Sequence, residues 1–150
     1  MDRDATLSRM MNLCARGERC SADIRRKLAD LPPEEAEAVL ETLVREGYVD
    51  DARYARAFAR DKSALQGWGS LKIKLALQRK GIGAAAIDAA IGEIDAKAAG
   101  ARMEQVLRAK WKALDREADP ARKEARFYRY GYGYEEIKRM YDHFRRSQND

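Results

Sequence analysis

The strongest limit on the fold is a pattern that recurs at intervals near fifty residues. Ser21 and Ser70 lie 49 apart, each followed three residues later by isoleucine (Ile24, Ile73) and four after that by leucine (Leu28, Leu77). Gly81 and Gly131 lie 50 apart, and six residues beyond each stands another isoleucine, Ile87 and Ile137. Large apolar pairs four apart recur as well: Leu7/Met11, Tyr54/Phe58 and Leu107/Trp111. A unit of this length has room for three short helices, and units of that kind bury their apolar faces against neighbours. The expected fold is all-α, a tandem array of three three-helix, helix-turn-helix-like repeats forming an elongated, curved molecule. The repeats are expected over residues 1–49, 50–95 and 96–150.

The helices follow from apolar spacing and from their start and stop residues. Residues 5–17 place Leu7, Met10, Met11 and Cys14 on one face. Ser21 is read as the cap of a short helix carrying Ile24 and Leu28, and Pro32-Pro33 starts a third with Val39, Leu40, Leu43 and Val44 facing in. Gly47 closes it in the left-handed conformation. Asp50 or Asp51 then caps a helix that carries Tyr54, Phe58 and Leu65 on one face beside Ala55. Ser70 is read as the cap of the next, with Ile73, Ala76 and Leu77 inward and Gly81 as its stop; Ala84–Ile94 follows with Ile87, Ala90, Ile91 and Ile94. The last round is 96–114 (Met103, Val106, Leu107, Trp111, Leu114), then Asp119-Pro120 to Tyr130, then a helix from Gly133-Tyr134 with Ile137, Met140, Tyr141 and Phe144.

Charged residues make up 37% of the chain and aromatics only 8%, which suits narrow apolar stripes on charged helices. The net +5 is uneven. Residues 1–50 carry 8 basic and 11 acidic side chains, residues 51–100 carry 9 and 5, and residues 101–150 carry 13 and 9. The basic last two-thirds suits a polyanion or an acidic protein surface as partner. No phosphate-binding loop, nucleophile–base pair or metal-ligand constellation is present, so neither an enzyme nor a cofactor is expected. Asp50-Asp51 is read as helix capping rather than a catalytic carboxylate pair, and the lone His143 as an exposed, solvated imidazole. Cys14 and Cys20 are expected to be unbridged thiols, with Cys14 on the apolar face of the first helix. The absence of a long apolar run or a signal-peptide pattern places the expectation in the cytoplasm.

Cations recur on the second helix of each repeat. Arg25, Arg26 and Lys27 cluster on the first of these; Lys72, Lys74 and Arg79 mark the second; Arg122, Arg126 and Arg129 form a stripe on the third, with Lys123 among them. These are the candidate partner contacts, set against the reading that they are ordinary solvated surface. Trp68 is left between two readings, a docking ring or a cover over the end of the core.

In EGYVDDARYARAFARDKS the sequence resembles the RecX family of recombination regulators. Gly47, Tyr48, Asp50, Asp51, Tyr54, Ala55 and Phe58 match that family's glycine, its aromatic or aliphatic residue, its paired acids and its aromatic-Ala-x-x-Phe. Gly69, Lys72, Ile73, Leu77, Lys80, Gly81 and Ile82 resemble its second-repeat helix, and ARKEARFYRYGYGYEEI its third-repeat ending. The resemblance implies a non-enzymatic modulator of the RecA recombinase, expected as a monomer with RecA and the RecA–DNA filament as partners and no membrane. It further implies that filament assembly is limited or disassembly promoted, lowering strand exchange, ATP hydrolysis and the co-protease activity of the SOS response. Direct DNA contact is a further expectation. Two other classes stand beside it: a stand-alone helix-turn-helix DNA-binding protein, and an adaptor for some other protein. Ala84–Ile94, where a recognition helix would fall, carries no Arg, Lys, Asn or Gln, which counts against the first.

Overall fold

The computed structural model describes residues 2–148. Among these residues the chain forms nine α-helices and one 3-10 turn: α1 Arg3–Ala15, α2 Ser21–Lys27, α3 Pro33–Arg45, α4 Asp51–Gln66, α5 Ser70–Arg79, α6 Ala84–Gly92, α7 Ala96–Ala113, the turn Leu114–Arg116, α8 Pro120–Phe127 and α9 Tyr134–Gln148. No strand occurs among the described residues. The chain groups into two compact units. One takes everything up to Ala57 together with Leu77–Ala90; the other takes Phe58–Ala76 and the chain from Ile91 on. The boundary therefore falls inside α4, α5 and α6, so each of these helices contributes to both units.

The first unit has an aliphatic core of Met10, Ile24, Leu28, Val39, Leu40, Leu43 and Val49, with Leu7, Met11, Leu13, Cys14, Leu31 and Ala36 packed around it. α3 ends as its sequence demands. Gly47 sits at φ 81°, the Tyr48 N–H reaches the Leu43 carbonyl at 2.8 Å, and the Gly47 N–H reaches Val44 at 3.1 Å. This pair of bonds is a Schellman ending, which satisfies two helix-end carbonyls and needs a residue tolerant of positive φ. Gly81 ends α5 with the same two bonds, from Ile82 to Leu77 and from Gly81 to Gln78.

The core of the second unit is built from rings. Met103, Leu107, Trp111, Phe127, Ile137, Tyr141 and Phe144 are buried together. Trp111 meets Phe127 edge-on at 5.3 Å and Tyr141 at 5.5 Å between centroids, within the range where aromatic pairs attract beyond their area.

Several local expectations change. α1 begins at Arg3 rather than residue 5 because Asp2 caps it, its Oδ1 accepting from the Asp4 N–H at 3.0 Å. Ser21 and Ser70 are the first helical residues, not caps. Cys20 precedes α2, and Asp23 Oδ2 accepts from the Cys20 N–H at 3.3 Å. In α4 the buried residues are Ala55, Ala59 and Ser63, whereas Tyr54 and Phe58 are half-buried and Leu65 is 67% exposed. The large residues flank that stripe, because small side chains at i, i+4 and i+8 give the helix its closest approach to the core. Val44, expected inside, is 50% exposed. α8 stops at Phe127, three residues short of Tyr130, and Arg129 and Tyr130 continue only as turns bonded to Arg126 and Phe127.

Candidate partner interface

The paired acids of the motif each serve a helix start. Asp50 accepts from the Arg53 N–H at 3.0 Å and so caps α4. Asp51 instead reaches across the first unit and accepts from the Ser21 N–H at 2.7 Å, satisfying an open donor at the start of α2. That contact spans 30 residues, so local spacing could not have revealed it. The remaining motif residues are structural as well. Ala55, Ile73 and Leu77 are fully buried, Tyr48 is partly exposed after the Gly47 turn, and Gly81 ends α5. Arg53 ties the turn down, bonding Glu18 at 2.7 Å and the Gly47 carbonyl at 3.0 Å.

A second polar tie holds α2 in the first unit. Lys80 Nζ lies 2.8 Å from Asp23 Oδ1; the Asp23 side chain is largely buried and that of Lys80 is half-buried. Burial acts to raise the Asp23 carboxyl, but the hydrogen bonds from Lys80 and Cys20 outweigh it and hold the group below its ordinary range. The same bond raises Lys80. Burial pushes up the thiol of Cys20 and that of half-buried Cys14, and both are free.

The predicted cations divide by partner. Arg25 is held by Glu37 at 2.8 Å, and Arg26 lies 3.8 Å from Asp23. Lys27 is exposed and lines a surface recess of about 390 Å³ with Arg9, Asn12, Leu13 and Arg16. On α8, Arg122 lies 3.8 Å from Asp119, and Arg126 lies 3.4 Å from Glu117. Lys123 points the other way: its side chain is 12% exposed, bonded to Asp115 at 2.5 Å, with the ammonium 3.7 Å from the Trp111 ring centre. It is a lid on the aromatic core. Arg129 stands in the turn after α8 rather than on the helix, so the expected i, i+4, i+7 stripe loses its last member. Lys72, Lys74, Arg79 and Arg129 are exposed and make no ion pair among the described residues.

Within the second unit the turn between α4 and α5 gathers what sequence spacing left apart. Trp68 is half-buried. Lys62 lies 4.8 Å and Lys72 4.3 Å from its ring centre, and Phe58 meets it edge-on at 6.0 Å. Trp68 therefore packs edge-on against Phe58 and is neither fully buried nor fully exposed. The turn is pinned from behind by Tyr132, whose hydroxyl donates to the Gly67 carbonyl at 2.5 Å. A side chain at Gly67 would meet Val106 at 2.7 Å, so only glycine lets the turn approach α7 this closely. Lys62 is the functional candidate that the sequence pattern missed, because it lies on α4 and outside the basic second helices. His143 is not simply solvated: its Nε2 lies 3.4 Å from Glu104 Oε1. Among the described residues no group of three or more His, Cys, Asp or Glu could hold a metal ion, and no helix is long and apolar enough to cross a membrane.

Comparison with known proteins agrees along the chain. The family model described as "RecX, second three-helix domain" matches residues 50–91. A Regulatory protein RecX of Pseudomonas fluorescens is 31% identical over 138 residues, covering 87% of this chain and 85% of its own length. That of Pseudomonas entomophila is 34% identical over 135 residues, with 87% and 85% covered. A crystal structure of RecX from Lactobacillus salivarius aligns with a TM-score of 0.73 at 17% identity, covering 94% of this chain and 95% of that one. A second crystal structure, of regulatory protein RecX, gives 0.77 at 22% identity, with 93% and 71% covered.

Proposed function

Because the chain belongs to the RecX family of regulatory proteins, we propose that it is a negative modulator of the RecA recombinase that binds the RecA–DNA filament. In this role it limits filament assembly or promotes disassembly, and so lowers strand exchange, ATP hydrolysis and SOS co-protease activity. The observation that carries the proposal is the near full-length similarity to RecX proteins. The division into three-helix repeats at 1–49, 50–95 and 96–150 belongs to the same proposal, and the family domain matched at 50–91 supports it.

Contact with the filament runs through cations that the fold leaves without a carboxylate: Lys72, Lys74 and Arg129 in the second unit, and Lys27 and Arg79 in the first. Each keeps its full charge for an acidic protein surface or for phosphates. Arg25, Arg26, Arg122 and Arg126 share theirs with carboxylates and rank behind. The competing reading, a helix-turn-helix reader of duplex DNA, is disfavoured because α6 carries no Arg, Lys, Asn or Gln to read guanine or adenine.

The test is RecA-dependent ATP hydrolysis on single-stranded DNA with increasing amounts of this protein, beside binding to the same DNA without RecA. A falling hydrolysis rate under conditions where bare DNA is not saturated supports the proposal. An unchanged rate at saturating protein would reject it.

A further inference from the structure

We infer that the solvent face of α5 docks a polypeptide segment of the partner in which apolar side chains are bordered by carboxylates. The inference rests on the filament-binding reading above and names the chemistry of the contact. Ile73 is fully buried and fixes which side of α5 faces the core. At 100° per residue, Leu71 and Leu75 project from the side opposite it, one turn apart on the outward ridge. They are 45% and 42% exposed. Lys74 lies on one flank of this ridge and Lys72 on the other, and α5 (SLKIKLALQR) contains no acidic residue.

A helix serving only as scaffold carries its charges at the outward centre and its apolar residues toward the core. Here leucines hold the outward centre and the lysines border them. That order is the layout of a protein interface, an apolar middle with a charged rim. Beside the Lys72 flank stands Trp68, the residue type most often found at interface hot spots. The lysine flanks call for carboxylates on the occupant. Leu71 and Leu75 offer no flat face on which a base can stack, and the nearby Trp68 ring already carries Lys62 and Lys72 over it, which favours polypeptide over single-stranded nucleic acid.

Leu71→Gln/Leu75→Gln keeps helix-forming residues at exposed positions and so leaves melting unchanged. Binding of this variant and of the parent is measured against RecA filaments on single-stranded DNA and against the bare oligonucleotide, with sedimentation of each protein alone. Expected is a loss of about tenfold or more in filament affinity, unchanged oligonucleotide binding, and near-parent affinity for Leu71→Met/Leu75→Met. Lys72→Glu/Lys74→Glu should weaken filament binding too, with the deficit shrinking as salt rises. Parent-like filament affinity of the Gln variant would overturn the docking inference while leaving the proposed function standing. Equal losses on filament and bare oligonucleotide would assign the face to nucleic acid, and loss of a parent dimer would assign it to a second copy of this chain; either overturns the inference. A parent that binds no filament would remove the proposed function itself, and the inference with it.

Discussion

The two units solve the same problem with different materials. The first packs aliphatic side chains and ties its helix starts with carboxylates: Asp23 to Lys80, Asp51 to the Ser21 N–H, Glu18 to Arg53. The second holds ten of the twelve aromatic residues and sets cations on rings, with Lys123 over Trp111, Arg108 over Phe144, Lys110 over Tyr130, and Lys62 and Lys72 over Trp68. The distinction has an electrostatic consequence. A carboxylate cancels the charge of its cation, whereas a ring steadies the cation and leaves its charge in place. Lys62, Lys72 and Lys110, which meet rings and no carboxylate among the described residues, are ordered in this way and keep their positive charge, whereas Lys123 and Arg108 also pair with Asp115 and Glu104.

The largest effect should come from breaking the ring core. Trp111→Ala removes the residue that Phe127, Tyr141 and Phe144 all touch, and should cost about 3–5 kcal/mol. Denaturant unfolding followed by far-UV circular dichroism checks it. A loss below about 1 kcal/mol would show that the second unit does not depend on its rings.

The next effect probes the carboxylate ties of the first unit. Lys80→Met leaves the largely buried Asp23 without its closest cation and should cost about 1.5–3 kcal/mol. The pH dependence follows from the directions of the shifts. Asp23 is lowered in the folded state, so its contribution is present above the ordinary carboxylate range and fades as pH falls through the lowered value. Lys80 is raised, so its contribution is complete below the ordinary lysine range and fades as pH rises through the raised value. Acid titration of stability in the parent and in Lys80→Met should therefore converge at low pH. Parallel curves down to full protonation would mean that the pair contributes nothing.

A smaller effect separates cations by role. Lys123→Met should cost about 1–2 kcal/mol through the lost ring contact and ion pair. Arg129→Ala, at an exposed turn, should stay within about 0.5 kcal/mol. Equal costs for the two substitutions would erase the distinction between a cation that closes the core and one that faces solvent.

The smallest effect is none. Cys14 and Cys20 are free, so thermal melting with and without reductant should coincide. A shift on reduction would show a bridge that alters the first unit.

Much of this architecture was legible from local chemistry. The helices, the Gly47 and Gly81 stops, and the cores around Leu43 and Leu107 depend on spacing and on backbone conformations that act within a few residues of the chain. Glycine is required where a helix ends in the left-handed region, and apolar residues three or four apart share a face wherever the helix happens to pack. Part of the family motif was legible for the same reason, since Gly47, Asp50 and Gly81 serve local turns and caps.

Other features were decided only by the tertiary structure. Whether Asp50 or Asp51 caps α4 depends on Ser21, thirty residues back, offering its N–H to Asp51. α4 buries alanines and a serine rather than Tyr54 and Leu65 because the distance between neighbouring helices, not hydrophobicity alone, selects the inward side chain. Lys123 and Arg122 are adjacent in sequence and alike in charge, yet one closes the aromatic core and the other faces water. Periodicity places a residue on a face, but only packing decides which face meets the core, and with it which charges are left for a partner.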